Sequence, residues 1–233
     1  MIGRGGFLLR ALPPLRRSLD QVVAHAAEWE RRNAALLADP SADGPLWAVL
    51  GDSAAQGVGL ASVDEGYVGR VRRLLERRDG RPWRVLNLSR SGAVIADLLD
   101  EQLPRLSGLQ AAGWRPDLVS AVAGGNDLRR TPLEQLLAAV PALVAAVPPG
   151  TVVATFPQGL KPARARAANA VLRRLAAERG LPVVDLWRAT APPFRGKYAD
   201  GLHPNAVGVT DWVAAFTDAL SLPAEVDPPR RPG

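Results

Sequence analysis

The chain has 233 residues, a formal net charge of +6 and no cysteine. One α/β domain of this length buries enough surface to fold without cross-links, and the lack of cysteine excludes disulfides, a thiolate nucleophile and a cysteine-ligated metal. All basic residues except Lys161 and Lys197 are arginines, scattered without an aromatic platform or zinc motif. We therefore do not expect a nucleic-acid partner, and two histidines are too few for a His-rich metal cluster.

The first predicted element is an amphipathic helix from about residue 15 to residue 37. Apolar residues recur on one face at spacings of three, four and seven: Leu15, Leu19, Val22, Ala26, Trp29 and Leu36. The other face is polar, with Ser18, Gln21, His25, Glu28 and Arg32. We expect His25 to be solvated there. Residues 1–44 form a helical extension that ends in a Pro/Gly/Asp-rich linker.

Apolar runs and helical patterns then alternate. Strands are predicted at Leu46–Leu50, Val85–Leu88, Asp117–Ala123, Thr151–Phe156 and Pro182–Leu186. Helices are predicted at about 66–78, 92–103, 133–147, 163–180 and 205–220. Strands that are apolar on both faces and separated by helices predict an α/β domain with a parallel sheet, over residues 45–221. The proline-rich segment 222–233 is predicted to be a disordered tail.

The N-terminal segment has no long apolar run. Arg10 interrupts its short apolar patch, no cleavage site follows, and no stretch reaches the ~20 apolar residues of a membrane span. We therefore expect a cytoplasmic protein without a signal peptide. Arginines beside Phe7, Leu8 and Leu9 leave weak contact with an anionic membrane surface as an alternative to packing on the domain.

Three of the predicted strands are followed by residues of catalytic type. Ser53, in Gly51-Asp52-Ser53, follows a buried strand at the start of a helical turn; a nucleophile and an N-cap serine are about equally expected there. Gly92 and Asn126 follow two other strands, where each could donate a hydrogen bond to an anion or simply form a turn. Asp52 and Asp127 are expected to hold loops by accepting backbone hydrogen bonds.

The last motif is Asp200-Gly201-Leu202-His203-Pro204. An aspartate three residues before a histidine in a tight loop can bond the imidazole ring and fix its tautomer. His203 is the remaining candidate base once His25 is placed on the polar helical face. Because the carboxyl ends of parallel strands share one edge of a sheet, we expect these motifs to meet there.

Four segments together resemble the four blocks of the SGNH, or GDSL, hydrolases: Gly51-Asp52-Ser53, Gly92, Gly124-Gly125-Asn126-Asp127 and Asp200-Gly201-Leu202-His203-Pro204. The resemblance spans about residues 46–220. It implies a three-layer, flavodoxin-like fold with a five-stranded parallel sheet. It also implies an activity that needs no cofactor and no metal. Ala54 departs from the family pattern, which has leucine at that position.

The resemblance also implies roles for individual residues. Ser53 would be the nucleophile, His203 the base and Asp200 its partner, with an oxyanion hole formed by the N–H groups of Ser53 and Gly92 and the amide of Asn126. The expected activity is hydrolysis of carboxylic esters of small molecules, lipids or sugars, with short- to medium-chain acyl groups. An acyltransferase with the same triad is the nearest alternative. A binding module that kept the fold but lost activity is disfavoured, because all four motif positions retain chemically competent residues. Residues at and after the end of the fourth strand, on the active-site edge, are expected to line the substrate pocket: Phe156, Gln158 and Leu160. For Phe156 the alternative is a place in the core.

Overall fold

Five parallel strands form one sheet in the computed structural model, which describes residues 13–159 and 161–225. The strands are β1 (Leu46–Gly51), β2 (Arg84–Asn87), β3 (Leu118–Val122), β4 (Val152–Ala154) and β5 (Val183–Val184). They lie in the order β2-β1-β3-β4-β5, and every neighbouring pair is parallel. This order is the flavodoxin-like one, so the predicted fold class is confirmed.

Helices cover both faces of the sheet. They are α1 (Pro13–Ala38), α2 (Ser53–Gln56), α3 (Tyr67–Asp79), α4 (Ile95–Asp97), α5 (Leu103–Ala111), α6 (Gly125–Arg130), α7 (Leu133–Ala146), α8 (Pro162–Glu178), α9 (Leu186–Ala189) and α10 (Ala206–Leu220). A 3-10 turn (Val63–Glu65) precedes α3, and a π-helical turn (Leu98–Gln102) joins α4 to α5. The predicted helix at 92–103 therefore begins later and ends later, and it contains a π turn.

The sheet separates two apolar cores. Helices α5, α7 and α8 pack on one face, and α3 and α10 pack on the other. In the second core the rings of Tyr67 and Phe216 stack at 4.9 Å, and Trp47 of β1 lies 6.4 Å from Phe216. All six residues of β1 are buried because helices cover both of its faces, which explains its continuous apolar sequence.

The buried face of helix α1 matches the predicted apolar face only in part: Trp29 is buried in the second core, as expected. The side chains of Ser18, His25 and Asn33 are buried, whereas Leu19 and Val23 are 45% and 72% exposed. The expectation that His25 is solvated is wrong. The physical reason is that α1 also covers backbone groups that have no ladder partner: Asn33, for example, donates to the carbonyl of Asn87, the last residue of β2, at 2.7 Å and accepts from its N–H at 3.0 Å.

The domain continues beyond the predicted boundary at residue 221. Leu222 is buried in the second core, and Glu225 forms an ion pair with Arg70 of α3. Residues 222–225 therefore pack on the domain, while 226–233 lie outside the described residues. So do residues 1–12, on which the predicted membrane contact rests. Within the described ranges, no helix is long and apolar enough to cross a membrane.

Candidate active site

Ser53 lies at the carboxyl edge of the sheet, one residue after the N-cap of α2. Asp52 is that cap: its backbone is extended, and its carboxylate accepts a hydrogen bond from the N–H of Ala54 at 2.9 Å. Ser53 is 7% exposed and lines a small cavity of about 70 Å³. This position follows β1 beside β3, which is the topological switch point where ligands bind in this strand order.

The strand before Ser53 is held by a residue that sequence reasoning missed. The amide of Gln102, in the π-helical turn, accepts from the N–H of Gly51 at 2.8 Å and donates to its carbonyl at 2.9 Å. A side chain added at Gly51 would collide with the carbonyl of Val122, because β1 and β3 approach closely there. Both contacts fix the backbone that leads to Ser53. A lone glutamine in a helix carries no sequence signal for this role.

His203 joins Ser53 and Asp200. Its Nε2 lies 2.9 Å from the Ser53 Oγ, and its Nδ1 lies 2.7 Å from the Asp200 Oδ2. The other carboxylate oxygen of Asp200 accepts from the N–H groups of Leu202 and His203 at 3.0 and 2.8 Å. The structure thus brings together three residues that are up to 150 positions apart in sequence.

The loop that carries His203 is closed by its own backbone. The N–H of Ala199 donates to the carbonyl of His203 at 2.9 Å, and the N–H of Asn205 donates to that of Lys197 at 3.0 Å. Gly201, at φ +81°, provides the left-handed turn between them. The side chain of Asn205 then caps α10 through the N–H groups of Val207 and Gly208, so the loop ends on a rigid helix.

The environment of Asp200 favours its ionised form. Burial alone would raise the pKa of this carboxyl, but the hydrogen bonds from the ring and the backbone N–H of His203 outweigh burial. The pKa is therefore held below its ordinary range. An ionised Asp200 can keep the proton of His203 on Nδ1, which leaves Nε2 free to accept a proton from Ser53.

Asn126 reaches the same site from the start of α6. Its amide nitrogen donates to the carbonyl of Ala93 at 3.0 Å and lies 3.5 Å from the Asp52 Oδ2, a long contact that a substrate oxygen can replace. Gly92 adopts φ +81° in the neighbouring turn, where its carbonyl accepts from Arg130. Asn126 and Ser53 line the small cavity; Gly92 is one residue from the Ala93 contact and is not among the lining residues.

Two further carboxyls near the site hold loops, as the sequence predicted. Asp52 caps α2, and Asp127 accepts from the N–H of Ile95 at 3.1 Å and from the Thr131 hydroxyl at 3.2 Å. Burial raises the pKa of Asp52 to about 6 and also raises the pKa of Asp127. Neither carboxyl is placed between Ser53 and His203, so neither belongs to their hydrogen-bonded chain.

The three residues expected to line the substrate pocket lie in different places. Phe156 is 1% exposed, lies in the apolar core and is not among the lining residues of either cavity beside Ser53, so this expectation is corrected. Gln158 lines a second cavity of about 500 Å³, and its amide donates to the carbonyl of Trp187 at 3.0 Å. Leu160 lies outside the described residues. Within residues 13–159 and 161–225, no cluster of His, Asp or Glu could hold a metal ion.

The match to a family model identifies the protein as a hydrolase of carboxylic esters. The model of the GDSL-like lipase/acylhydrolase family matches residues 49–210, and the chain belongs to this family. The predicted family is therefore confirmed. The match begins at Val49 in β1 and ends at Thr210 in α10, so it contains the serine, asparagine and histidine segments and leaves α1 out.

Solved structures of similar fold include several esterases and hydrolases. LAE5, an alpha/beta hydrolase enzyme from the metagenome of Lake Arreo, is 24% identical with a TM-score of 0.61, over 77% of this chain and 96% of that one. Axe2, an acetylxylan esterase from Geobacillus stearothermophilus, is 22% identical with a TM-score of 0.63, over 80% and 98%. The lipase/acylhydrolase from Enterococcus faecalis is 20% identical with a TM-score of 0.58, over 78% and 100%. No curated protein sequence matches this chain.

Proposed function

We propose that the protein hydrolyses carboxylic esters with short- to medium-chain acyl groups through an acyl-Ser53 intermediate. The observation that carries this proposal is the unbroken series of contacts from the Ser53 Oγ through the His203 ring to Asp200, at 2.9 and 2.7 Å. A serine hydroxyl is a weak nucleophile unless an adjacent base takes its proton, and this geometry supplies the base.

The reaction has two halves. In the first, the Ser53 Oγ bonds to the ester carbonyl carbon and its proton passes to Nε2 of His203. The leaving alcohol then takes that proton as its C–O bond breaks, which leaves an acyl-Ser53. In the second half, His203 accepts a proton from water, the resulting hydroxide attacks the acyl group, and the acid leaves as Ser53 regains its proton.

Negative charge develops on the carbonyl oxygen in both halves. Ser53 and Asn126 line the same cavity, so the backbone N–H of Ser53 and the side-chain amide of Asn126 are two proposed donors to that oxygen, and the N–H of Gly92 is the third. Asn126 would exchange its long contact with Asp52 for the substrate oxygen. Little is lost in that exchange because the Asp52 contact is long, and the transition state gains because an oxyanion accepts a stronger hydrogen bond than the neutral carbonyl oxygen of the bound ester.

The space beside Ser53 fits an acyl group of moderate size. The cavity of about 500 Å³ adjoins the small cavity at Ser53 and shares Gly125, Pro157, Leu202 and Trp212 with it. Cavities of 300–1,000 Å³ are typical of small-molecule sites. The walls of the cavity of about 500 Å³ are largely apolar, which suits a hydrocarbon chain.

The test is hydrolysis of 4-nitrophenyl esters from acetate to palmitate by the wild type, Ser53→Ala and Ser91→Ala. Ser91 lies on the same edge of the sheet, but its hydroxyl bonds Gln56 and does not reach His203, so Ser91→Ala is the matched control. We expect Ser53→Ala to lose nearly all turnover, Ser91→Ala to stay within about twofold, and the chain-length optimum to fall below the longest esters.

Two results would contradict the proposal. Full activity in Ser53→Ala would exclude Ser53 as the nucleophile, and a lack of wild-type activity on every ester would exclude hydrolysis as the main reaction. The acyltransferase alternative is tested in the same assay by adding sugar or lipid alcohols. Acyl products that exceed free acid would favour transfer over hydrolysis.

A further inference from the structure

The cavity of about 500 Å³ beside Ser53 carries two arginines and no carboxylate among its lining residues. Arg129 comes from the last turn of α6, and Arg195 comes from the loop before Tyr198. Several arginines elsewhere pair with carboxylates, as Arg70 does with Glu225. Within the part of the chain that the structure describes, neither Arg129 nor Arg195 forms an ion pair.

The rest of the cavity wall is largely apolar, with Leu128, Phe194 and Trp212 among its residues. A ligand that satisfies both features has a hydrocarbon stem and an anionic group. Guanidinium groups bind carboxylates and phosphates through paired hydrogen bonds, and such charged bonds are stronger than neutral ones. We propose that the ester substrate carries an anionic group on an apolar stem, which Arg129 and Arg195 bind in this cavity.

This inference rests on the proposed function, and the assay compares esters that differ only in charge. One pair is 4-nitrophenyl hexanoate and the mono-4-nitrophenyl ester of hexanedioic acid, which carries the anion on the acyl half. A second pair carries a neutral or carboxylated alcohol on an acetyl group. A phosphonate analogue of the preferred half then separates carboxylate from phosphate recognition.

We expect the wild type to have the higher kcat/KM for the charged ester in at least one pair. Arg129→Gln/Arg195→Gln should lose about 10- to 100-fold on that ester and less than twofold on its neutral partner. The matched control is Arg77→Gln/Arg81→Gln, which removes the same charge at exposed positions that do not line this cavity. It should leave the charged-to-neutral ratio unchanged.

The results separate this inference from the proposed function. Equal kcat/KM for charged and neutral esters in both pairs, or equal effects of the two double variants, overturns the anionic substrate alone. Lack of cleavage of every ester overturns the proposed function and this inference with it.

A second observation concerns α1, which lies outside the family match yet contacts the loop behind His203. The Gln21 amide accepts from the N–H of Gly59 at 3.0 Å and donates to the carbonyl of Leu60 at 2.6 Å. Gly59 in turn lies against the histidine loop: a Cβ built on it would stand 3.0 Å from the Cβ of His203 and 2.6 Å from the carbonyl oxygen of Pro204.

These contacts leave little space for the loop that carries His203 to shift towards Gly59. Gly59 adopts φ +100°, a conformation that only glycine takes readily, and its amide is anchored by Gln21. Ser18, one helical turn earlier, is buried and lies beside Asp200. We propose that Gln21 is a positioning residue, which holds the Gly59–Leu60 backbone against the loop that carries His203.

The helix also provides a matched control. The Asn33 amide forms the same two-bond contact with the backbone of Asn87, on β2. Gln21→Ala and Asn33→Ala therefore break the same kind of bond between the same helix and the same domain. Only the first bond supports the histidine loop.

The experiment measures kcat, KM and urea stability for both variants, with the rate at which a phosphonate ester modifies Ser53. We expect Gln21→Ala to lower kcat and the modification rate by about 10-fold at nearly unchanged KM, because a misplaced base slows proton transfer. Asn33→Ala should stay within twofold in both rates despite a similar loss of stability. Gln21→Glu keeps an acceptor for Gly59 and should recover part of the rate.

Rates that fall equally in Gln21→Ala and Asn33→Ala, or that follow stability alone, overturn the positioning role. If Gln21→Ala does not fold, Gln21→Glu against Asn33→Asp supplies the same comparison. Equal rates in that pair give the same refutation.

Discussion

Replacing Asp52 by asparagine should make the protein more stable at neutral pH while changing little at acidic pH. Burial raises the pKa of this carboxyl to about 6, from an ordinary value of 3.8. At about 1.4 kcal/mol for each pH unit, ionising Asp52 costs the folded state about 3 kcal/mol more than the unfolded chain. Asparagine is nearly the same shape and can still accept from the N–H of Ala54. Its amide nitrogen then faces that of Asn126 at every pH, so the change in stability between two pH values reports the titration of Asp52 alone.

The sign follows from proton linkage. A carboxyl whose pKa is higher in the folded state contributes stability below pH 3.8, and this contribution is lost as the pH rises through about 6. Asp52→Asn does not titrate, so the variant lacks that loss. Its free energy of unfolding, relative to the wild type, should rise by about 2.5 kcal/mol between pH 4 and pH 8.

Urea unfolding at pH 4 and pH 8 measures this difference directly. The control is Asp43→Asn, which changes an exposed carboxyl in the linker before β1. Its effect should be the same at both pH values. The reasoning is refuted if Asp52→Asn changes stability equally at pH 4 and pH 8, or if the variant loses stability at pH 8 relative to pH 4.

Three other variants test separate parts of the structure. Asn126→Ala should lower kcat on esters by about 10²- to 10³-fold with a smaller change in KM, and unchanged turnover would remove it from the oxyanion site. Gly124→Ala should lower the melting temperature by several degrees, because the new Cβ would overlap the Phe156 ring and because alanine is strained at the φ of +124° that Gly124 adopts. A wild-type melting curve would contradict this. Glu225→Gln should lower unfolding stability by about 1 kcal/mol by breaking its pair with Arg70, and an unchanged value would mean that residues 222–225 add nothing.

The sheet and the order of the motifs could be predicted from the sequence because they follow from strong local signals. Each strand is a short run of apolar residues such as Leu46–Gly51, whose two covered faces remove any polar alternation. Parallel strands put their carboxyl ends on one edge, so Ser53 and Asn126 had to approach each other. The pairing of Asp200 with His203 is local and needs only three residues of separation.

The packing of α1 could not be predicted from the same kind of reasoning. Hydrophobic periodicity assumes that a helix buries its apolar stripe, and of that stripe α1 buries Trp29 but exposes Leu19. It also buries the polar residues Ser18, His25 and Asn33. The surface that it meets combines apolar side chains of the two cores with backbone groups of loops and of the end of β2. Which polar residues serve such a surface depends on where the loops lie in space, and no spacing within the helix records that.

Carboxamide side chains hold the backbone at several strand ends of this sheet, and the sequence predicted none of these contacts. A residue at the point where a strand leaves the sheet has an N–H and a carbonyl without ladder partners, and both are buried here. One amide side chain can bond both groups, since it carries a donor and an acceptor, and it brings no charge that burial would penalise. Three backbone positions at or just after strand ends are held in this way: Gly51 by Gln102, Asn87 by Asn33 and Phe156 by Asn169. The same chemistry between Gln21 and the Gly59–Leu60 backbone then extends the rigid frame to the loop against which His203 lies.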